Sequence, residues 1–270
     1  MSRIAETFEK LRKSGSAAYI PYVCAGDPSE SFSMRLIERL CNAGADILEL
    51  GLPFSDPMAD GAVVQGAMMR SLSGGFRVND IFRMISSVRD AGINQPIVLM
   101  TYYNPVLRFG VESFCHKLRE SGADGILVVD LPIEESEELD AIALRIGLDV
   151  IRLVAPTTDN DRLNALLSNA SGFVYAVSVA GTTGSREVIP ESAISLIKRV
   201  VANSERPVVL GFGISSPSHV REAVDAGAAG VVEGSRIISI YANHLGREED
   251  ALRKVESHAQ EMKTATLMRQ

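Results

Sequence analysis

Eight short runs rich in Val, Ile and Leu recur along the chain, each followed by a longer stretch of helical periodicity. No other feature constrains the fold as tightly. The runs are 18–24, 46–50, 97–101, 125–130, 149–154, 173–177, 208–211 and 230–232. Most are apolar on both faces, as strands covered by helices on one side and a core on the other must be. The helical stretches lie at 32–41, 80–90, 111–119, 134–145, 161–167, 191–201, 218–225 and 251–262. A local repeat fixes the phase: Ala43-Gly44-Ala45-Asp46, Ser121-Gly122-Ala123-Asp124 and Ala226-Gly227-Ala228-Ala229 each put glycine just past a helix and just before a strand.

Strands that all look equally buried favour closure, so the expected fold is α/β, a (β/α)₈ TIM barrel, with an open doubly wound sheet as the alternative. The 270 residues match the ~250 typical of one such barrel and suggest a single domain over 1–270. Ile4, Phe8 and Leu11 share one helical stripe, so the first segment is expected to cap the bottom of the barrel. The connections 52–77 and 178–190, after the second and sixth strands, are long enough to be lids or partner surfaces.

Charge and cysteine content narrow the function classes. A net charge of −7 lacks the basic face that nucleic acid requires. Cys24, Cys41 and Cys115 are too scattered for a disulfide framework or a zinc cluster. With no signal-like N-terminus and no run near the ~20 apolar residues of a membrane span, a cytoplasmic protein is expected.

In a barrel the chemistry sits at the C-terminal strand ends. None of the four histidines falls there, and all four read as solvated, which makes a catalytic metal unexpected. The lysines fall on helices, so a Schiff-base nucleophile is missing as well. Cys24 reads as a core thiol. What remains is carboxylate chemistry. Glu49 interrupts the apolar run Ile47-Leu48-Glu49-Leu50, where a buried acid must be protonated, paired or functional. Arg152 is the one arginine in a strand. Asp56 and Asp60 follow in a loop, and Asp130 ends the fourth strand. Each is either a turn or cap residue or a substrate contact.

A second signal is a phosphate cradle. Gly211-Phe212-Gly213-Ile214-Ser215 ends the seventh strand, Gly234-Ser235-Arg236 ends the eighth, and each opens a helix. Glycines admit close backbone approach, and free N–H groups at a positive helix end hold a dianion. Gly181-Thr182-Thr183-Gly184 could close over the same group. The residues alone thus indicate a barrel acting on a phosphorylated small molecule by carboxylate acid–base catalysis.

The run from Glu49 to Gly61, Glu-Leu-Gly-Leu-Pro-Phe-Ser-Asp-Pro-Met-Ala-Asp-Gly, resembles the signature of the tryptophan synthase α subunit family. The resemblance continues in Tyr22–Pro28, Met100–Pro105, Asp130–Ser136 and Gly211–Ile214, and spans essentially the whole chain. It implies aldol-type cleavage of indole-3-glycerol phosphate to indole and glyceraldehyde 3-phosphate. Carried over by position, Glu49 would protonate the indole carbon and later take the glycerol hydroxyl proton, and Asp60 would accept the indole N–H. Tyr22, Met100, Tyr102, Leu127, Val129, Tyr175, Thr183 and Val232 would contact substrate. Gly184, Gly213, Gly234 and Ser235 would hold the phosphate. The resemblance also implies no cofactor in this chain, and a pyridoxal-phosphate β subunit as partner in an αββα complex, facing the second-strand loop and Thr101–Asn104. A stand-alone lyase releasing free indole and a weakly catalytic activator subunit are the competing readings. Departures from the family pattern are Val179 and Ala180 before the GTTG segment, Ala62 where proline is common, and Glu233 and Arg236 beside the Gly-Ser pair. By alternation from Val232, Glu233 should point out of the barrel.

Overall fold

The computed structural model describes residues 1–177, 188–211 and 213–267. Nine parallel strand segments appear among them: β1 (Ala18–Cys24), β2 (Leu48–Gly51), β3 (Ile97–Thr101), β4 (Gly125–Val128), β5 (Asp149–Val150), β6 (Arg152–Val154), β7 (Val174–Val177), β8 (Val208–Gly211) and β9 (Gly230–Glu233). They pair in the order β5-β4-β3-β2-β1-β9-β8-β7-β6. The two ends of that series, β5 and β6, are joined through Ile151 alone, so the fifth expected strand is one strand broken at its middle and the sheet closes on itself. The result is a (β/α)₈ barrel.

Helices cover the outside because their apolar stripes need a partner. Helix α2 (Glu30–Asn42) buries Phe32, Leu36, Ile37 and Leu40, and α4 (Val78–Asp90) buries Ile81, Phe82, Ile85 and Val88. These are the i, i+3, i+4 spacings of one helix face. Helix α1 (Arg3–Ser14) crosses the N-terminal ends of the strands. A Cβ on Gly125, the first residue of β4, would lie 3.1 Å from Ile4 Cδ1, and the Phe8 and Phe173 rings sit 5.8 Å apart. The expected bottom cap is therefore formed. The remaining helices are α6 (Val111–Glu120), α7 (Glu137–Ile146), α8 (Asn160–Ser168), α9 (Glu191–Asn203), α10 (Pro217–Asp225) and α12 (Glu248–Ala265), with the shorter α5 (Tyr103–Phe109) and α11 (Ser235–Ala242) at the mouth. Among the described residues no helix is long and apolar enough to cross a membrane.

The long connection after β2 carries a helix of its own, α3 (Ala62–Ser73). Val64, Ala67, Met68 and Ser71 form its buried stripe, a helical spacing partly hidden in sequence by Gly61, Gly66 and Gly74. Three histidines also differ from the solvated reading. His219 is buried, and His244 and His258 are only 16% and 13% exposed in their side chains, each held by a polar partner: the Gly213 carbonyl, the Ile240 carbonyl and the Glu233 carboxylate respectively. His116 alone lies in the open, 45% exposed.

Candidate active site

Glu49 sits in the middle of β2 and is 1% exposed. The arrangement follows from strand alternation: Leu48 and Leu50 point outward to the helices, which leaves Glu49 between them facing into the barrel. Its register partners are Tyr22 on β1 and Val98 on β3, so all three share one level of the interior. Among the described residues no cation pairs with it, and Oε2 lacks any hydrogen-bond partner. Arg152 turns instead to the outer layer, where it binds Ser136 Oγ at 2.9 Å and the Asp140 carboxylate of α7. Burial, reinforced by the nearby Asp60 charge, pushes the Glu49 carboxyl up to about 8. At neutral pH this acid keeps its proton.

Asp60 follows in the loop after β2, 9% exposed. Tyr102, at the end of β3, donates its hydroxyl proton to Asp60 Oδ2 at 2.6 Å and accepts from the Ala59 amide at 3.0 Å. Its ring stacks on Phe54, centroids 5.1 Å apart. Gln65 on α3 donates to the Asp60 carbonyl at 2.8 Å, so both neighbouring elements hold the loop. Burial raises the Asp60 carboxyl, and the Tyr102 hydrogen bond opposes that rise. Two carboxyls with different environments therefore lie within electrostatic reach of each other.

Tyr22 and Tyr175 lie inside the barrel over two glycines. A Cβ on Gly51 would lie 2.1 Å from Tyr22 Oη, and one on Gly211 would lie 2.2 Å from Tyr175 Oη. Both positions must be glycine for the rings to lie where they do. Burial raises both phenols, and the charges of Glu49 and Asp60 raise them further, which places all four groups within electrostatic reach. Met100 pairs in register with Leu127 and with Gly51, and Val232 with Ile20, so these side chains share the inward face by alternation. Val129 continues that face, half-buried just past β4. Cys24 is a buried core thiol, raised by its burial.

Of the glycines expected at a phosphate, Gly234 lies beside Tyr22. Gly234 caps α11 with no side-chain hydrogen bond, leaving the first N–H groups of that helix unclaimed by a cap, and a Cβ there would lie 3.2 Å from the Tyr22 ring. Ser235 opens α11 and is exposed. Gly213 has φ +85°, and its carbonyl lies 3.1 Å from His219 Nδ1 on α10. Thr183 and Gly184, with Val179, Ala180 and the rest of that segment, lie outside the described residues.

Two expected alternatives resolve structurally. Asp130 accepts from the Tyr103 amide at 2.7 Å, which caps α5, and Asp56 is exposed and takes the Ser55 hydroxyl. Ala62 is the first residue of α3, where proline would also fit. Glu233 does point out of the barrel, yet it is fully buried: Tyr19 Oη donates to it at 2.8 Å and His258 Nε2 lies 2.7 Å away.

Sequence reading missed one further network. Asp27, immediately after β1 and fully buried, accepts two bonds from Arg70 of α3 at 2.8 Å each and one from the Tyr241 hydroxyl of α11. It ties the helix that follows Asp60 to the helix whose N-terminus carries Gly234 and Ser235. The only signal was a lone aspartate at a strand end, since its partner Arg70 stood in an apparent loop.

With this geometry in place, the comparisons with known proteins point one way. The family model described as tryptophan synthase alpha chain matches residues 8–267. The chain is similar to the tryptophan synthase alpha chain of Carboxydothermus hydrogenoformans, 44% identical over 91% of each chain. It is 40% identical to that of Arabidopsis thaliana over 97% of this chain and 94% of the other. Among solved structures, tryptophan synthase subunit alpha from Legionella pneumophila str. Paris superposes with TM-score 0.90 at 34% identity, covering 98% of each chain. A tryptophan synthase structure from Mycobacterium tuberculosis gives 0.91 at 33% identity, covering 99% of each.

Proposed function

The chain belongs to the tryptophan synthase alpha chain family, which cleaves indole-3-glycerol phosphate to indole and glyceraldehyde 3-phosphate, and we propose that Glu49 and Asp60 carry that reaction here. The single observation that carries the assignment is Glu49: a buried carboxyl with no cationic partner among the described residues, raised to about 8. Such an acid can donate a proton near neutrality.

Glu49 gives its proton to the indole carbon bearing the side chain. The ring nitrogen takes up the positive charge, and its N–H is held by the Asp60 carboxylate. The carboxylate left on Glu49 then removes the proton of the adjacent glycerol hydroxyl. The carbon–carbon bond breaks, its electron pair restores the aromatic ring, and the former carbinol becomes the aldehyde. The proton count on Glu49 is unchanged at the end. Protonating the ring supplies the electron sink, so the residues needed are an acid of raised pKa, an anion for the N–H and an apolar wall.

Tyr22, Met100, Leu127, Val129, Tyr175 and Val232 supply that wall in this reading, with Tyr102 fixing Asp60. Gly213, Gly234 and Ser235 hold the phosphate, with Thr183 and Gly184 assigned to its closure on the resemblance alone. Indole then passes to a β subunit that carries pyridoxal phosphate, in an αββα assembly. Support for a partner at the mouth comes from Met58 and Leu107, 88% and 56% exposed on the second-strand loop and α5. Large apolar side chains exposed there suit an interface better than solvent.

The test is Glu49→Gln. Indole release should fall at least about a hundredfold, in line with the ~10²–10⁴ that a general acid–base group contributes, while the fold is kept. More than about a tenth of the wild-type rate in the variant would remove Glu49 from this role.

A further inference from the structure

Among the described residues, two buried oxygens inside the barrel have no hydrogen-bond partner, Glu49 Oε2 and Tyr22 Oη. They belong to register partners on adjacent strands and face the same level of the barrel interior. Glu49 is accounted for by the chemistry above. Tyr22 is not: a phenylalanine would fill the same apolar wall and leave no hydroxyl to satisfy. A buried hydroxyl without a hydrogen bond is unfavourable, and one that persists calls for an explanation. The Cys24 thiol lies two residues along on the same face of β1 and touches the hydroxyl, but a thiol is a weak partner and leaves Tyr22 Oη without a strong one. Burial keeps the phenol protonated, so a donor is available.

The placement of the ring says which part of a substrate it meets. One end lies over Gly51, two residues beyond Glu49, with the hydroxyl 2.1 Å from where a Cβ would be. The base of the ring lies against Gly234, the N-cap of α11, at 3.2 Å by the same measure. Tyr22 therefore spans the interval between the acid and the helix end assigned to phosphate. In indole-3-glycerol phosphate that interval is occupied by the glycerol chain with its hydroxyls.

We propose that the Tyr22 hydroxyl hydrogen-bonds a hydroxyl of the substrate's glycerol chain, making Tyr22 a specificity-determining residue for the linker as well as a wall of the indole pocket. This rests on the assignment of the site given above. A site built to pair with a substrate hydroxyl disfavours the analogue that lacks it, because its own polar group is then left unpaired.

The test compares wild type with Tyr22→Phe, on indole-3-glycerol phosphate and on 3-(indol-3-yl)propyl phosphate, which keeps the ring, chain length and phosphate but has no hydroxyls. For the variant, kcat/KM on the hydroxylated substrate should fall roughly three- to thirtyfold, the effect of one lost hydrogen bond. Its Kd for the propyl analogue, from calorimetry, should stay within about twofold of wild type or tighten. The thermal midpoint should hold or rise, since an unpaired buried hydroxyl has been removed; a merely structural tyrosine would show the opposite pattern. Unchanged kcat/KM overturns the proposal, and so does an equal loss of affinity for the propyl analogue, which would mean that the ring had moved. A wild-type chain unable to cleave indole-3-glycerol phosphate overturns the assignment of the site as well, so the two failures are distinguishable.

Discussion

The Tyr102 hydroxyl reaches from the end of β3 to Asp60 in the loop after β2, and at 2.6 Å it is the one side-chain donor to that carboxylate among the described residues. It opposes the rise in pKa that burial imposes on Asp60. Removing it in Tyr102→Phe should raise that carboxyl further, so less of it is ionised at neutral pH. The acid limb of the kcat profile is then expected to move up by about one pH unit, the size of a lost bond to a charged acceptor. A pH–rate series on both proteins reads this directly. An unmoved acid limb would show that Tyr102 does not set the charge on Asp60.

Glu49 makes a prediction about stability as well as rate. Its carboxyl is raised from 4.5 to about 8 in the folded chain, so between those values the native state keeps a proton that the unfolded chain gives up. The stability that this proton confers is complete below about pH 4.5 and is lost as pH rises through about 8. Glu49→Gln escapes that loss. The variant should therefore gain on wild type from pH 5 to pH 8, by on the order of 4 kcal/mol, and the gap should level off above pH 8. Urea unfolding at three or four pH values checks it. A gap independent of pH would mean that Glu49 ionises normally.

Asp27 is a structural prediction. Its carboxylate is fully buried and receives Arg70 twice and Tyr241 once. Asp27→Ala strands those donors and should cost about 3 kcal/mol of unfolding free energy, the range for breaking a buried pair. Equilibrium denaturation measures it, and a loss under about 1 kcal/mol would show that the three groups find other partners.

Arg236 stands at the start of α11, exposed, beside the helix end assigned to phosphate. Pairing with Glu233 does not occur, because that carboxylate is occupied by Tyr19 and His258 on the other side of the strand. A phosphate there would be held by backbone N–H groups, and a contact kept from ground state to transition state appears in KM rather than kcat. Arg236→Ala is expected to raise KM by less than about tenfold, with kcat unchanged. A larger rise that fades with added salt would reveal a side chain recruited to the phosphate.

The barrel and its acid are legible in the sequence because both are written in local pattern. The alternation of apolar runs fixes strand and helix spacing residue by residue, and Glu49 stands out as a charge inside such a run. Gly44, Gly122 and Gly227, each past a helix and before a strand, fix the phase. Helix α3 escaped the same reading because Gly61, Gly66 and Gly74 look like loop residues. What stabilises it is a buried stripe supplied by elements far away in sequence.

Partners across the fold could not be read this way. Tyr102 meets Asp60 across 42 positions, Tyr241 meets Asp27 across 214, and Tyr19 meets Glu233 across 214. Each meeting depends on barrel closure and on the register between strands, which no local window contains. The sequence by itself determined the strand and helix order, the lone acid in the second strand, the glycine-framed helix end and, through the Glu49–Gly61 signature, the family. Only the tertiary structure decided that Glu49 meets no cation among the described residues and therefore holds its proton, that Asp60 is held by Tyr102, and that the Tyr22 hydroxyl faces the same barrel interior without a strong partner. The physical reason is that secondary structure follows from short-range periodicity, whereas the charge state of a carboxyl follows from what surrounds it once the chain has closed.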